Sequence, residues 1–180
     1  MLFKELEKVH QTIAKRHNAS TVAIITGAKL GKDFFASMSS ALLTLGNIHA
    51  PLTQTNKILS MSYPFSYIYD CLNQGYKIPG WGSSFVKGEP DPVFDDLRFL
   101  LKGEQPRLLE VVDEITDRLG HSLRVPVHPN ASCYTMLCFA GYPDTVDKES
   151  RSLMGANFLI KSRLPVWTEL YLENYEKGCR

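Results

Sequence analysis

The sequence predicts an all-α fold, because apolar residues recur every three or four positions in four stretches and alternating strand patterns are scarce. The first stretch covers residues 3–13 and predicts an amphipathic helix at the start of the chain. The second covers residues 34–45 and follows Asp33, whose carboxylate is suited to cap a helix N-terminus. Both patterns predict a helix with one buried face.

Two further helices are predicted in the second half of the chain. One carries apolar residues from 108 to 119 and begins near Pro106, because the first turn of a helix tolerates proline. The other runs from about 149 to 175, with Pro165 as a predicted kink. Its predicted apolar face contains Leu153, Ile160, Leu164, Trp167 and Leu170.

An irregular segment separates the two halves. Residues 78–92 read IPGWGSSFVKGEPDP, which combines glycine and proline with a tryptophan, two serines and a lysine. Long loops of this composition commonly carry function. The chain has no composition break that marks a linker, so residues 1–180 are interpreted as a single domain.

Composition and charge exclude several classes of function. With 44% hydrophobic and 22% charged residues, the 180-residue chain has the composition of a globular protein. Twenty Lys and Arg against nineteen Asp and Glu give a net charge of +1, which provides no global field for binding nucleic acid or an anionic membrane. No apolar run approaches the roughly 20 residues that span a bilayer. We therefore expect a cytoplasmic protein without nucleic-acid or membrane partners.

The common metal and phosphate motifs are absent. The four cysteines form no CxxC pair and have no histidine at zinc-ligand spacing, so we expect no metal. Cys133 and Cys138 lie in the apolar run CYTMLCFAGY and are interpreted as small core residues. The string GAKLGKD has the wrong glycine spacing for a phosphate-binding loop.

Three longer strings give the sequence a specific resemblance. They are HNASTVAIITGAKLGKDFFASMSSALLTLGNIHAPLTQTN (residues 17–56), PGWGSSFVK (79–87) and HPNASCYTMLCFAGYP (128–143). In this order and at these separations they resemble the citrate synthase family: its helix pair that opens with NAST, its PGFGHPVYK loop and its YPNVDFYSG segment. The resemblance implies a truncated citrate-synthase-like helical domain that corresponds to the family's C-terminal half. An unrelated helical bundle is the alternative.

The resemblance also implies that the catalytic groups are replaced. Family members use two histidines and an aspartate to condense oxaloacetate with acetyl-CoA. Those positions are occupied here by Thr53, Ser83 and Ser132. A hydroxyl is a poor general base without a partner and cannot carry the charge of an imidazolium. His128 is four residues before Ser132, so a replacement acid–base pair forms only if that segment is helical.

Three residues remain candidates for binding a substrate or coenzyme A. Arg163 in KSRLPVW matches the family arginine that binds a substrate carboxylate, and Lys87 keeps a basic position near the coenzyme A phosphates. Trp81 has a ring suited to stacking on an adenine. Each also has a structural interpretation: a helix surface cation for Arg163, a solvated loop residue for Lys87 and a buried loop anchor for Trp81. No permanent cofactor is expected, and coenzyme A or acetyl-CoA are the candidate ligands.

Two functions follow from these features. The first is a citrate-synthase-like protein that has lost catalysis and acts as a dimeric structural, assembly or regulatory component. The small residues of segment 19–46 support it, because the family dimerises through this helix pair. The second is a reduced or split enzyme, a citrate synthase or citryl-CoA-type acyltransferase or lyase, with a second chain that supplies the missing large domain.

Overall fold

The computed structural model describes residues 1–45, 50–82, 88–140 and 146–178. Within these ranges all regular secondary structure is helical and there is no β-strand, which confirms the predicted fold class. A 3₁₀ turn, Pro92–Phe94, leads into the sixth helix. The helices are α1 (Leu2–Lys15), α2 (Ala19–Lys29), α3 (Phe34–Leu43), α4 (Leu52–Leu59), α5 (Pro64–Asn73), α6 (Asp95–Glu104), α7 (Pro106–Leu123), α8 (Ala131–Ala140) and α9 (Lys148–Gly178).

Local side-chain chemistry sets the helix starts. Asn18 Oδ1 accepts a hydrogen bond of 3.1 Å from the Thr21 amide and caps α2. Asp33 Oδ1 accepts one of 2.9 Å from the Ala36 amide, so the predicted cap of α3 is confirmed. Pro106 occupies the first turn of α7, as predicted.

The core consists of two apolar clusters that meet along α1 and α9. The larger cluster joins α1 with α4, α6, α7, α8 and the first half of α9. The smaller joins the end of α1 with α2, α3 and the second half of α9, around the fully buried Trp167. Helix α9 therefore connects the two clusters, and residues midway along it lie at their junction.

Helix α8 is buried on nearly every side, which explains why its sequence shows no polar face. Cys133 and Cys138 lie in this core, as the sequence predicts. Burial raises the pKa of both thiols, that of Cys138 to about 12. Both are therefore neutral thiols at physiological pH and make poor nucleophiles.

The predicted apolar face of α9 is wrong in part. Leu153 and Leu164 are exposed, and the helix instead turns a mixed face inward. Helix α9 packs against several helices along its length. The geometry of those contacts, and not the positions of the leucines in the sequence, therefore determines which face is buried. Its buried residues are Ser152, Gly155, Leu159, Ser162, Arg163, Val166, Trp167 and Tyr171.

Helices α2 and α3 pack tightly against each other within the chain. A Cβ placed on Gly27 would lie 3.0 Å from the Ser37 Cβ, and Ala28 and Ala41 are fully buried. These four small residues are therefore used for contacts inside the chain. In the part of the chain that the structure describes, no helix is both long and apolar enough to cross a bilayer.

Candidate functional site

Two of the three positions that the resemblance assigns to catalysis lie in the described residues, and they differ in exposure. Thr53 is exposed at the start of α4 and lines a cavity of about 230 Å³ between α4 and α9. Ser132 is buried in the first turn of α8, where its amide donates a 2.9 Å hydrogen bond to Asn130 Oδ1. Within the described ranges neither hydroxyl is hydrogen-bonded to a histidine or carboxylate that would activate it. Ser83 lies outside the described residues.

His128 and Ser132 do not form the replacement pair. Helix α8 begins at Ala131, so His128 lies before the helix and is not one helical turn from Ser132 on a common face. The described residues contain no hydrogen bond between the two side chains. His128 Nε2 is enclosed without a hydrogen-bond partner.

Residues 79–82, at the start of the irregular segment, are fixed against the segment leading into α8. The Gly82 amide donates to the His128 carbonyl at 2.8 Å, and the Asn130 amide donates to the Gly80 carbonyl at 2.9 Å. Gly80 has φ +91°, and a Cβ there would lie 2.7 Å from Thr55 Cγ2, so this position requires glycine. Residues 79–82 therefore lie between α4 and the start of α8.

Trp81 is an anchor of this loop. Its side chain is buried, and its Nε1 donates a 3.0 Å hydrogen bond to Thr116 Oγ1 on α7. This arrangement favours the anchor interpretation over adenine stacking, because a stacking residue must offer a ring face to the ligand. Lys87 lies outside the described residues.

A larger cavity of about 470 Å³ lies beside the loop. Asp91 in its wall forms an ion pair with Arg16, in which Arg16 Nη2 donates to Asp91 Oδ1 at 3.0 Å. The Arg16 side chain holds the pKa of this carboxyl below its usual range. The cavity is lined by Gly82, Gly88, Glu89, Asp91, Phe94, Val125, Pro126, Val127, His128 and Pro129.

Arg163 is the most unusual charged residue in the described part of the chain. It lies on α9 at the junction of the two apolar clusters and is only 5% exposed. Its guanidinium has no ion-pair or hydrogen-bond partner among the described residues, and its Nε is completely enclosed. Burial lowers the pKa of Arg163 to about 10. The side chain is therefore not a helix surface cation, and the described residues supply none of the anionic groups that normally accompany a buried arginine.

His10 is another buried polar residue, and it was not among the predicted site residues. It lies on α1, is fully buried, and its Nε2 is 3.0 Å from Thr135 Oγ1 on α8. Its Nδ1 is enclosed without a partner. Burial and the nearby Arg163 charge lower the pKa of His10 well below its usual range, so the ring is neutral.

The position of His10 in the sequence carried a signal that it is buried. It falls four residues after Leu6 and three before Ile13, on the apolar face predicted for α1. A histidine on that face is placed in the core by the same periodicity that places the leucines there. We did not predict the contact with Thr135, because it joins residues 125 positions apart.

The described helices define the fold class: this chain has the fold of a citrate-synthase-like helical domain. Its solved structural neighbours include ATP citrate lyases and a citryl-CoA lyase. One is an aspartate-to-alanine mutant of Methanosaeta concilii ATP citrate lyase in complex with (3S)-citryl-CoA, at a TM-score of 0.77 and 17% identity. Another is ATP citrate lyase from Methanothrix soehngenii in complex with citrate and coenzyme A, at 0.76 and 17%. A third is citryl-CoA lyase from Hydrogenobacter thermophilus, at 0.72 and 14%.

The alignments cover nearly all of this chain. They include 98% of it for each ATP citrate lyase and 97% for the citryl-CoA lyase. The chain spans 32% of the length of each ATP citrate lyase chain and 70% of the citryl-CoA lyase chain. The sequence matches no protein-family model and no curated protein. The similarity therefore identifies the fold alone.

Proposed function

We propose that this protein is a non-catalytic, dimeric regulatory component that binds a carboxylate metabolite of the citrate type. The observation that carries the proposal is the buried guanidinium of Arg163, which has no counter-ion among the described residues. A buried charge without a partner strongly destabilises the folded state. An anion that binds to the charge is therefore expected to raise the stability of the folded protein. A planar carboxylate matches the paired donors of a guanidinium.

We propose citrate as the ligand because the fold is similar to that of ATP citrate lyases and a citryl-CoA lyase. The neighbouring ATP citrate lyase structures hold citrate or citryl-CoA. The sequence resemblance to the citrate synthase family implies that Arg163 corresponds to the arginine that binds a substrate carboxylate. Binding an anion needs a fixed donor and not a group that exchanges protons, so binding can outlast the loss of catalysis. Lys87 remains a proposed second contact for the phosphates of a coenzyme A ligand.

Assembly is proposed to use helices α2 and α3. Lys29 is the only charged residue in the two helices, and a helix that is apolar or neutral on every side is normally buried. Yet Phe35 is 79% exposed and Leu43 is 86% exposed on α3, with Leu30 and Leu42 also exposed nearby. A second copy of this chain is the proposed partner for this apolar face, as the family's pairing through this helix pair implies.

Isothermal titration calorimetry with citrate at low salt tests the proposed binding. We expect saturable heat from the wild-type protein and about tenfold to hundredfold weaker binding after Arg163→Met, because a charge-assisted hydrogen bond contributes about 1.5–3 kcal/mol. Lys161→Met is the matched control, since Lys161 is exposed on the same helix. The proposal fails if citrate gives no heat, or if both variants bind as the wild type does.

We also predict that the purified protein neither forms citrate from oxaloacetate and acetyl-CoA nor cleaves citryl-CoA. Thr53, Ser83 and Ser132 replace the acid–base groups, and loss of one such group typically lowers the rate about 10²–10⁴-fold. The measurement is release or consumption of the coenzyme A thiol over hours at high protein concentration. Turnover that disappears after Ser132→Ala would contradict the prediction.

A catalytic alternative is favoured by one observation. His128 is among the residues that line the cavity of about 470 Å³, and its enclosed Nε2 has no hydrogen-bond partner. In this alternative the chain is one part of a citryl-CoA-type lyase or synthase that needs a second chain. Thiol release that appears only on adding that chain, and disappears after His128→Ala, would favour the alternative over the regulatory component.

A further inference from the structure

We propose that the cavity between α4 and α9 takes the Leu43 side chain of a second copy of this chain. The inference rests on the proposed self-association through α3 and deepens it. Thr53, one of the positions that the resemblance assigns to catalysis, lines this cavity, so the second copy would close it.

The lining of the cavity suits an apolar side chain. Within the described ranges no charged residue lines it, so it offers no ion-pair partner to the carboxylates of citrate or the phosphates of coenzyme A. Ser152 is one of its few polar residues, and its hydroxyl is already used: it accepts from Asn56 Nδ2 at 3.0 Å and donates to the Lys148 carbonyl at 3.1 Å. The apolar lining residues include Leu45, Leu52, Leu153, Ala156, Leu159 and Ile160.

The size of the cavity also suits a leucine side chain. Its volume is about 230 Å³, whereas an apolar cavity of about 150 Å³ in another protein is large enough to hold benzene. An apolar side chain that enters it would gain the burial that it lacks in water.

Leu43 is the matching protrusion on the same surface. Its side chain is 86% exposed at the end of α3. Two residues later Leu45 lines the cavity, and the Leu45 amide donates to the Leu42 carbonyl at 3.0 Å. A protruding leucine and an apolar cavity therefore lie close together. In a two-fold dimer both copies present this surface, so Leu43 of each copy can enter the cavity of the other.

The outward face of α9 supports the same arrangement. Leu153 and Leu164 are 65% and 42% exposed, and Ala156 and Ile160 between them are half-buried. Their spacing of three and four positions places them in one apolar stripe, on a helix whose opposite side is buried in the core. A helix that is apolar on both sides is normally covered on both sides. The second copy would cover this stripe, which the sequence predicts to be buried.

Ala156→Phe tests whether assembly needs the cavity, because the larger side chain occupies it from within the chain. We expect the dissociation constant of the dimer, measured by sedimentation, to rise about tenfold or more. Glu110→Phe is the matched control, since it adds the same side chain at an exposed position on α7. Leu43→Ala should also weaken the dimer, and it should restore part of the affinity when combined with Ala156→Phe, because the shorter side chain leaves room for the ring.

Disulfide cross-linking locates the contact without filling the cavity. Leu43→Cys and Leu153→Cys are prepared as separate chains, with the native cysteines outside the core replaced by serine, and are then mixed and oxidised. We expect a covalent dimer of the two variants, because a disulfide forms only where the two Cα atoms come within about 7 Å. Leu43→Cys mixed with Phe99→Cys is the control and should give none.

The outcomes separate this contact from the assembly itself. A dimer that Ala156→Phe leaves intact, or that gives no cross-link above the Phe99→Cys control, overturns the contact between Leu43 and the cavity but leaves the proposed association through α3 standing. A wild-type protein that is only a monomer overturns both.

Discussion

Replacing Phe35 and Leu43 together by glutamate is expected to convert the protein from a dimer into a monomer. Both side chains are largely exposed on α3, in a helix that contains no charged residue. On a two-fold symmetric face each new carboxylate would meet apolar surface and its own counterpart. Burying such charges costs several kcal/mol, so we expect the dissociation constant to rise roughly a hundredfold or more.

Sedimentation velocity at micromolar concentration measures this change. Phe99→Glu is the matched control, because Phe99 is 78% exposed on α6, outside the proposed interface. The control should remain a dimer, and the far-ultraviolet circular dichroism of all three proteins should agree. A wild-type protein that sediments only as a monomer of 20.3 kDa would contradict the proposed assembly.

Arg163→Met is expected to stabilise the ligand-free protein. Burial lowers the pKa of Arg163 from its usual value to about 10, which corresponds to about 3 kcal/mol of destabilisation of its charged form. For a base, a lowered pKa in the folded state costs stability wherever the unfolded chain holds the proton, and this includes neutral pH. Methionine retains apolar packing without the charge. We expect the midpoint of thermal unfolding to rise by roughly 3–10 °C.

The same variant should lose its response to citrate. In the wild type, bound citrate should raise the unfolding midpoint, because a ligand that binds only the folded state stabilises it. In Arg163→Met the midpoint should start higher and should not move with citrate. Lys161→Met should behave as the wild type does. A large loss of stability in Arg163→Met would instead identify the arginine as a structural residue.

Four of the nine helices in the described residues, α1, α3, α7 and α9, were predictable from local patterns. The cap at Asp33, the proline in the first turn of α7 and the apolar periodicity were sufficient for α1, α3 and α7. Helix α8 carries no periodic pattern, since it is buried on nearly every side, and its apolar run predicted only core. The buried face of α9 was predicted wrongly in part: Leu153 and Leu164 are exposed, because packing against several helices selects which residues are buried.

The candidate site was predictable only in part. Arg163 came from the resemblance, but its burial depends on how α9 packs against the other helices. His10 and Thr135 are far apart in sequence and meet only through the packing of α1 on α8. Ser132 stands where the resemblance expects an aspartate, whereas Arg163 Nε and His10 Nδ1 are enclosed without hydrogen-bond partners, which the sequence did not predict. No local pattern reports hydrogen-bond satisfaction.

The central claim is that the Arg163 guanidinium binds a carboxylate. A crystal structure of the wild-type protein with citrate tests it most directly. We expect a citrate carboxylate with two oxygens about 2.7–2.9 Å from the Arg163 nitrogens. Citrate bound elsewhere, or an Arg163 guanidinium paired with a carboxylate side chain of a second copy, would contradict it.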